Sequence, residues 1–329
     1  MEFNSEVKKA TNPIYEKISD IMPEIEWSTH APYIYEINKL KKEKNAVILA
    51  HNYQTPEIYH GISDFSADSL ALAVEAAKTK ADIIVMCGVH FMAETAKLMS
   101  PEKKVLLPDM KAGCSLSSSI TGDDVRNLKK QYPGVPVVSY VNTSADVKAE
   151  TDVCCTSANA VKIVESLGVK KVIFLPDDFL AKYVASQTDI EIISWKGTCE
   201  VHEQFNDQEI NDIRKANPGI KIIAHPECPP DVIQASDFAG STSGMIKYVR
   251  DNQPEKVMMV TECSMSDNVQ IDNPNVEFIR PCNLCPHMKR ITLPKILDCL
   301  ENETNELIMD HETIEKARKS VERMAEIGR

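Results

Sequence analysis

Residues 191–203 read EIISWKGTCEVHE: a short β-branched run, Ile192-Ile193, breaks at Lys196-Gly197 and delivers one cysteine, Cys199. The same shape occurs upstream as VLLPDMKAGC (105–114), ending in Cys114, and downstream as VEFIRPCNLC (276–285), ending in Cys285. The three cysteines stand 85 and 86 positions apart. That regularity suggests one supersecondary unit written three times, each copy offering a thiolate at the end of a strand. Three thiolates converging from three similar units point first to a metal site.

The rest of the repeat can be laid out around these cysteines. Each copy opens with a buried strand: AVILAH (46–51), VVSYVN (137–142) and KIIAHP (221–226). A Ser/Thr-rich segment then leads into a helix: DFSADSLALAVEAAK, CCTSANAVKIVESLG and FAGSTSGMIKYVRD. A second strand follows: DIIVMCG (82–88), KVIFLPD (171–177) and KVMMVTE (256–262). A further helical or loop segment leads to the third strand and its cysteine. Short apolar runs without alternation suit strands covered on both faces, so the order strand, helix, strand, helix, strand predicts parallel sheets. Landmarks keep step: His51, Tyr140 and His225 lie 89 and 85 apart, and Ser69, Ser157 and Thr242 lie 88 and 85 apart.

The expected fold is therefore α/β, with three similar three-layer αβα domains and short parallel sheets around a pseudo-threefold axis. The expected boundaries are 1–118 plus 291–329, 119–203, and 204–290, supplying Cys114, Cys199 and Cys285 in turn. Residues 1–42 read as an amphipathic helical lead-in, with Ile14, Ile18, Ile21 and Met22 on its apolar side. Two C-terminal helices, ITLPKILDCLEN and ETIEKARKSVERMAEIG, have no repeat partner and are expected to fold back on the first domain.

Composition bounds the function. Apolar content of 43% and charged content of 26% are ordinary for a soluble globular chain of 329 residues. A formal charge of −12 with no basic face argues against nucleic-acid or anionic-membrane partners. Anionic substrates would then need local donors such as helix N-termini. No segment approaches the roughly 18–20 apolar residues that span a bilayer. The start, MEFNSEVKKATNPIYEKI, has no apolar signal-like core. Ten cysteines in that setting suit a reducing cytoplasm and metal or redox chemistry rather than structural disulfides. Cys87, Cys154 and Cys299 lie in apolar surroundings and read as small buried hydrophobes.

Ligands of open α/β sheets sit beyond the carboxyl ends of the strands, and the polar landmarks fall there. After each first strand comes a polar pair two residues apart: His51 with Tyr53, Tyr140 with Asn142, His225 with Glu227. In extended backbone such a pair projects to one side. Any single pair reads as hydrogen-bonded loop residues; three pairs in step with three cysteines read as a site. Ser69, Ser157 and Thr242 stand where helices begin, as N-caps or as seats for a carboxylate or phosphate.

The cysteines leave several metal chemistries open. Zinc would want a fourth ligand, and His202 stands three residues after Cys199. A radical cluster bound by three cysteines in one short loop is absent. Three distant cysteines suit a [4Fe–4S] cluster, which ordinarily takes four thiolates. A deficit of one leaves an iron able to bind substrate oxygen as a Lewis acid, which points to dehydration or condensation. Cys282-Asn-Leu-Cys285 is the one C-x-x-C; its spacing selects Cys285 as the ligand, and a Cys282–Cys285 bond would switch the site off.

Taken together, AHNYQ (50–54), DFSADS (64–69), CGVHFMAETAK (87–97), LPDMKAGCS (107–115), SYVNTSADVKA (139–149), CTSANA (155–160), WKGTCEVHE (195–203), AHPEC (224–228), GSTSGM (240–245) and CPHMK (285–289) resemble the quinolinate synthase family. The resemblance covers residues from about 46 to 300. It implies three α/β domains in a triangle and one [4Fe–4S] cluster per chain, held by Cys114, Cys199 and Cys285 with one open iron. It implies condensation of iminosuccinate (iminoaspartate) with dihydroxyacetone phosphate to quinolinate, phosphate and water, in cytoplasmic NAD biosynthesis. A functional hand-off from an L-aspartate-oxidising enzyme goes with that chemistry. By resemblance, His51, Ser69, Tyr140, Val141, Asn142, Ser157, His225, Pro226, Glu227 and Thr242 match substrate-binding positions. Tyr53, Glu227 and Tyr140 are the candidates for catalysis. The alternatives are another open-iron hydro-lyase or transferase acting on a small acid, and a non-catalytic iron–sulfur sensor. Phe179 stands where the family pattern expects a polar residue, and Ser264 where it expects glycine.

Overall fold

The computed structural model describes residues 1–280 and 283–327. Cys282, and with it the expected Cys282–Cys285 bond, lies outside the described residues. The chain divides into two compact units. One comprises Met1–Ala112, Cys263–Pro274 and Leu284–Leu307; the other comprises Gly113–Glu262, Asn275–Asn283 and Ile308–Arg329.

The first unit holds a four-stranded sheet of β1 (Ala46–His51), β2 (Phe65–Ala67), β3 (Ile83–Cys87) and β4 (Lys104–Leu106). The strands run parallel in the order β2-β1-β3-β4. Ile48, Leu49, Ala50, Ile84 and Val85 are fully buried, as an apolar run covered on both faces requires. The lead-in forms two helices, Ser5–Ile18 and Glu24–Glu43, which pack together and bury Trp27 against the ring of Tyr15. Helix Leu293–Asn302 packs on the second of these.

The second unit holds two more sheets of the same plan. One is built from β5 (Val137–Tyr140), β6 (Val153–Cys155), β7 (Lys171–Leu175) and β8 (Glu191–Ser194), in the order β6-β5-β7-β8. The other is built from β9 (Lys221–Ala224), β10 (Phe238–Ala239), β11 (Lys256–Val260) and β12 (Glu277–Ile279), in the order β10-β9-β11-β12. All pairings are parallel. Three four-stranded parallel sheets flanked by helices thus match the repeat.

Two features differ from the sequence reading. Each sheet carries a fourth strand at its edge, β2, β6 or β10, of only two or three residues. Runs that short lie below any periodic signal. The last helix, His311–Ile327, packs on helix Ala145–Ala149 and on β6 in the second unit, not on the first sheet. Specific polar contacts fix it there. The Ser320 hydroxyl donates to the Lys148 carbonyl at 3.0 Å and lies 3.3 Å from the Cys154 sulfur, among buried Ala317, Val321 and Met324. Amphipathicity shows that a helix has a buried face, not which sheet receives it. Among the described residues, no helix is long and apolar enough to cross a membrane.

Candidate active site

In the first unit β1 ends at His51, which is buried at 5% exposure. The chain then turns back on it, so that the Tyr53 amide donates to His51 Nδ1 at 3.2 Å and the two rings meet edge to face at 4.7 Å. The loop is clamped from beneath. Asn268, on helix Ser264–Ile271, donates to the carbonyls of Asn52 and Gln54 at 3.2 and 2.8 Å. Lys289 donates to the Tyr53 carbonyl at 2.8 Å and to the Ser264 hydroxyl at 2.7 Å. Ser264, the departure from the family pattern, thus receives a bond that glycine could not. Phe179, the other departure, carries the Lys182 ammonium over its ring at 5.5 Å. Cys285 is half-buried, and its carbonyl accepts from the Lys289 amide at 3.1 Å.

In the second unit two cysteine loops are stitched together. The Ser115 hydroxyl donates to the Thr198 carbonyl at 3.0 Å and accepts from the Glu200 amide at 3.1 Å, so it brackets Cys199. Trp195 Nε1 donates to the Ser119 carbonyl at 3.0 Å. Gly197 sits where the chains close most tightly: a Cβ there would lie 2.5 Å from the Pro176 carbonyl and 2.6 Å from the Ser119 hydroxyl. These contacts bring the thiols of Cys114 and Cys199 into electrostatic range. Burial, then Glu227, then Cys114 push the Cys199 thiol well above its ordinary value. A half-buried cysteine with another sulfur and a carboxylate beside it calls for a cation when it ionises. The donor set of this unit therefore suits a thiolate-bound metal centre.

Around Cys199 the polar groups form a compact network. Glu227 is buried at 3% exposure. Its Oε2 lies 2.7 Å from His202 Nδ1 and 3.7 Å from His225 Nδ1, and its Oε1 accepts from Asn142 at 3.4 Å. His202 Nδ1 also stands 3.1 Å from the Cys199 sulfur. The His202 and His225 rings stack at 4.9 Å. Burial opposes ionisation of Glu227, but His225, His202 and a hydrogen bond from Tyr140 outweigh it and hold the carboxyl far below its ordinary value. The site thus keeps a buried, ionised carboxylate beside a cysteine sulfur.

Ser157 meets His225 Nε2 at 3.1 Å, and the buried Asn142 Oδ1 has no hydrogen-bond partner among the described residues. Helix capping does not fall to the three hydroxyl residues singled out from the sequence. Asp68 caps helix Ser69–Lys78 and Ser241 caps helix Thr242–Asn252, so Ser69 and Thr242 are first-turn residues. Ser157 precedes helix Ala160–Ser166, where Asn159 accepts from the Thr156 amide at 2.7 Å. Val141 and Pro226 contribute backbone: the Val141 amide donates to Cys155 and its carbonyl accepts from Lys148, while Pro226 links His225 to Glu227.

Several participants had no signal in the sequence. Lys148 is fully buried and donates to the carbonyls of Val141, at 2.8 Å, and Thr143, so its ammonium underlies the Tyr140–Asn142 loop. Asp177 is fully buried, caps helix Asp178–Gln187 through Oδ1, and leaves Oδ2 without a partner among the described residues; burial and then Glu227 raise its carboxyl well above the usual range. His202, weighed as a zinc ligand, is placed where Cys199, His202 and Glu227 offer donors within 4.8 Å of one another. Its Nδ1 is engaged with both Glu227 and Cys199, so we read a hydrogen-bonded triad there and not a separate ion site.

A sequence model of the family described as "Quinolinate synthetase A protein" matches residues 35–326. The chain is 60% identical over 327 residues to the quinolinate synthase of Sinorhizobium fredii, covering 99% of this chain and 91% of that one. It is 58% identical over 329 residues to the quinolinate synthase of Caulobacter vibrioides (99% and 90% covered). It is 55% identical over 324 residues to that of Agrobacterium fabrum (98% and 93% covered).

Proposed function

Because the chain belongs to the quinolinate synthetase A family and is a quinolinate synthase of NAD biosynthesis, we propose that it condenses iminosuccinate with dihydroxyacetone phosphate over a [4Fe–4S] cluster. The ligands in this reading are Cys114, Cys199 and Cys285. The cluster, when bound, supplies an open iron that polarises a substrate oxygen as a Lewis acid. The reaction makes a carbon–carbon and a carbon–nitrogen bond and expels phosphate and water, so protons leave carbon and nitrogen and reach departing oxygen.

Glu227 is the base for those transfers. It is ionised, buried and restrained by His202, His225 and Asn142, so its lone pairs are held in place. Tyr140 donates its phenol proton toward that carboxylate and can return a proton to a departing hydroxyl. Tyr53 serves as a second phenol donor, its backbone fixed by Lys289 and its amide by His51. Asn142, Ser157 and His225 bind substrate carboxylate and carbonyl oxygens, and Ser69 and Thr242, in first turns of their helices, bind anionic groups. His51, Val141 and Pro226 are further substrate-binding residues in this reading. The reducing cytoplasm suits this thiol chemistry, and an enzyme that oxidises L-aspartate would supply the imine.

One observation carries the reading: a buried carboxylate, kept ionised by two histidines, beside the sulfur of Cys199 in a chain of this family. Anaerobic reconstitution with iron and sulfide, followed by iminosuccinate and dihydroxyacetone phosphate, should yield quinolinate by chromatography. Cys114→Ser, Cys199→Ser and Cys285→Ser should each lose cluster iron and product. Retention of the full iron content by any of the three would sink the ligand assignment.

A further inference from the structure

β11 ends at Val260, and the next residue, Thr261, is fully buried with its hydroxyl 2.9 Å from Nε2 of His202. The backbone there is tightly folded. The Thr261 amide donates to the Met259 carbonyl at 3.0 Å, and the His225 amide donates to the Val260 carbonyl at 3.2 Å. The end of β11 is thus tied to the loop carrying His225 and Glu227, and the hydroxyl has little freedom to move away from the imidazole.

Across the ring, Nδ1 faces Oε2 of Glu227 at 2.7 Å, with the Cys199 sulfur 3.1 Å away. A neutral imidazole has one N–H and one lone pair. With the lone pair on Nδ1 it would confront the carboxylate with a second acceptor. With the proton on Nδ1 it donates to Glu227, and Nε2 then needs a donor, which the Thr261 hydroxyl supplies. The hydrogen bond at one ring nitrogen decides the tautomer at the other.

We propose that Thr261 is a positioning residue of the reaction: its hydroxyl donates to Nε2 of His202 and so presents Nδ1–H to Glu227. The inference rests on the assignment of Glu227 as base and Cys199 as ligand. Thr261 touches neither substrate nor metal in this scheme and acts through the orientation of one ring. Loss of the hydroxyl lets the ring rotate or change tautomer, so the carboxylate loses the donor that aims it.

The test uses Thr261→Val, close in shape but without the hydroxyl, and Thr261→Ser, which keeps it. In the full chain before iron loading, carrying 15N-labelled histidine, long-range 1H–15N spectra report which ring nitrogen of His202 bears the proton. The His202→Asn spectrum identifies the resonance. The parent and Thr261→Ser should show the Nδ1–H form, and Thr261→Val should lose it. In the reconstituted enzyme, Thr261→Val should lower kcat by about 10–100-fold, the usual loss for a partner behind a site residue, with KM little changed. Thr261→Ser should restore most of it. The proposal is overturned if the parent carries the Nε2–H form, if the valine spectrum matches the parent, or if serine is as impaired as valine. Should the valine protein fold poorly, Thr261→Ala takes its place in the same comparison. Failure of the underlying assignment looks different: Glu227→Gln would then keep full activity, or Cys199→Ser would keep its iron.

Discussion

At Asp177, replacement by asparagine and by alanine separates the charge of the side chain from its role as a helix cap. Its Oδ1 accepts from the amides of Phe179 and Leu180 at 2.8 and 3.0 Å, while Oδ2 is buried without a partner among the described residues. Burial, then the neighbouring Glu227 charge, raise its carboxyl well above the ordinary carboxylate value. The folded chain therefore holds a proton that the unfolded chain has released, and the parent loses stability as pH climbs from the unfolded pKa toward the folded one. Asp177→Asn keeps the oxygen that caps the helix and replaces the orphaned oxygen with an uncharged donor group facing Glu227. Asparagine cannot ionise and so escapes that loss, which runs at about 1.4 kcal/mol per pH unit between the two pKa values, and the asparagine protein should exceed the parent near neutral pH. The gap should narrow as pH falls toward about 4, the ordinary carboxylate value, where both side chains are neutral. Asp177→Ala loses the cap and should fall below the asparagine protein by a further ~1 kcal/mol at every pH. Urea unfolding across that pH range measures all three. An asparagine protein less stable than the parent at neutral pH, or a gap that does not change with pH, would refute the reasoning.

Lys148→Met removes a buried ammonium from the carbonyls of Val141 and Thr143. Each bond to a charged donor is worth about 1.5–3 kcal/mol, offset by relief of the buried charge, and the Tyr140–Asn142 loop should loosen. Urea unfolding should show net destabilisation, and KM for the carboxylate substrate should rise. Gly197→Ala drives a methyl into the Pro176 carbonyl and the Ser119 hydroxyl. It should cost about 1–3 kcal/mol and lower the iron retained after anaerobic reconstitution, since the Cys199 loop can no longer seat beside Cys114. Asn268→Ala leaves the Asn52 and Gln54 carbonyls without their donor. About 2 kcal/mol should be lost, with kcat falling as the Tyr53 loop gains freedom; a parent-like kcat would exclude that support role.

The repeat was readable because buried parallel strands need apolar runs, and three such runs per copy lie 84 to 91 residues from their counterparts. The polar pairs were readable for the same reason: a strand end fixes its last side chains. His51, Tyr140, Asn142, His225 and Glu227 all fall where the strands stop, and the structure draws the last four together in one unit. What escaped notice depends on contacts between distant segments. Lys148 looks like a surface lysine until its ammonium finds two carbonyls, and Asp177 looks like a cap until its second oxygen proves to be sealed in. Thr261 carries no motif at all. Its role arises because β9 and β11 are neighbours in the sheet while His202 lies some sixty positions upstream.

Lys148, under the Tyr140–Asn142 loop, and Lys289, under the Tyr53 loop, aim their ammonium groups inward at backbone oxygens. In a chain of net charge −12 this means anionic reactants are drawn in by no broad attractive potential. Capture then relies on contact-range donors that counterions screen poorly. Adding salt, which slows association for enzymes that steer their ligands electrostatically, should leave the encounter rate here unchanged or slightly faster.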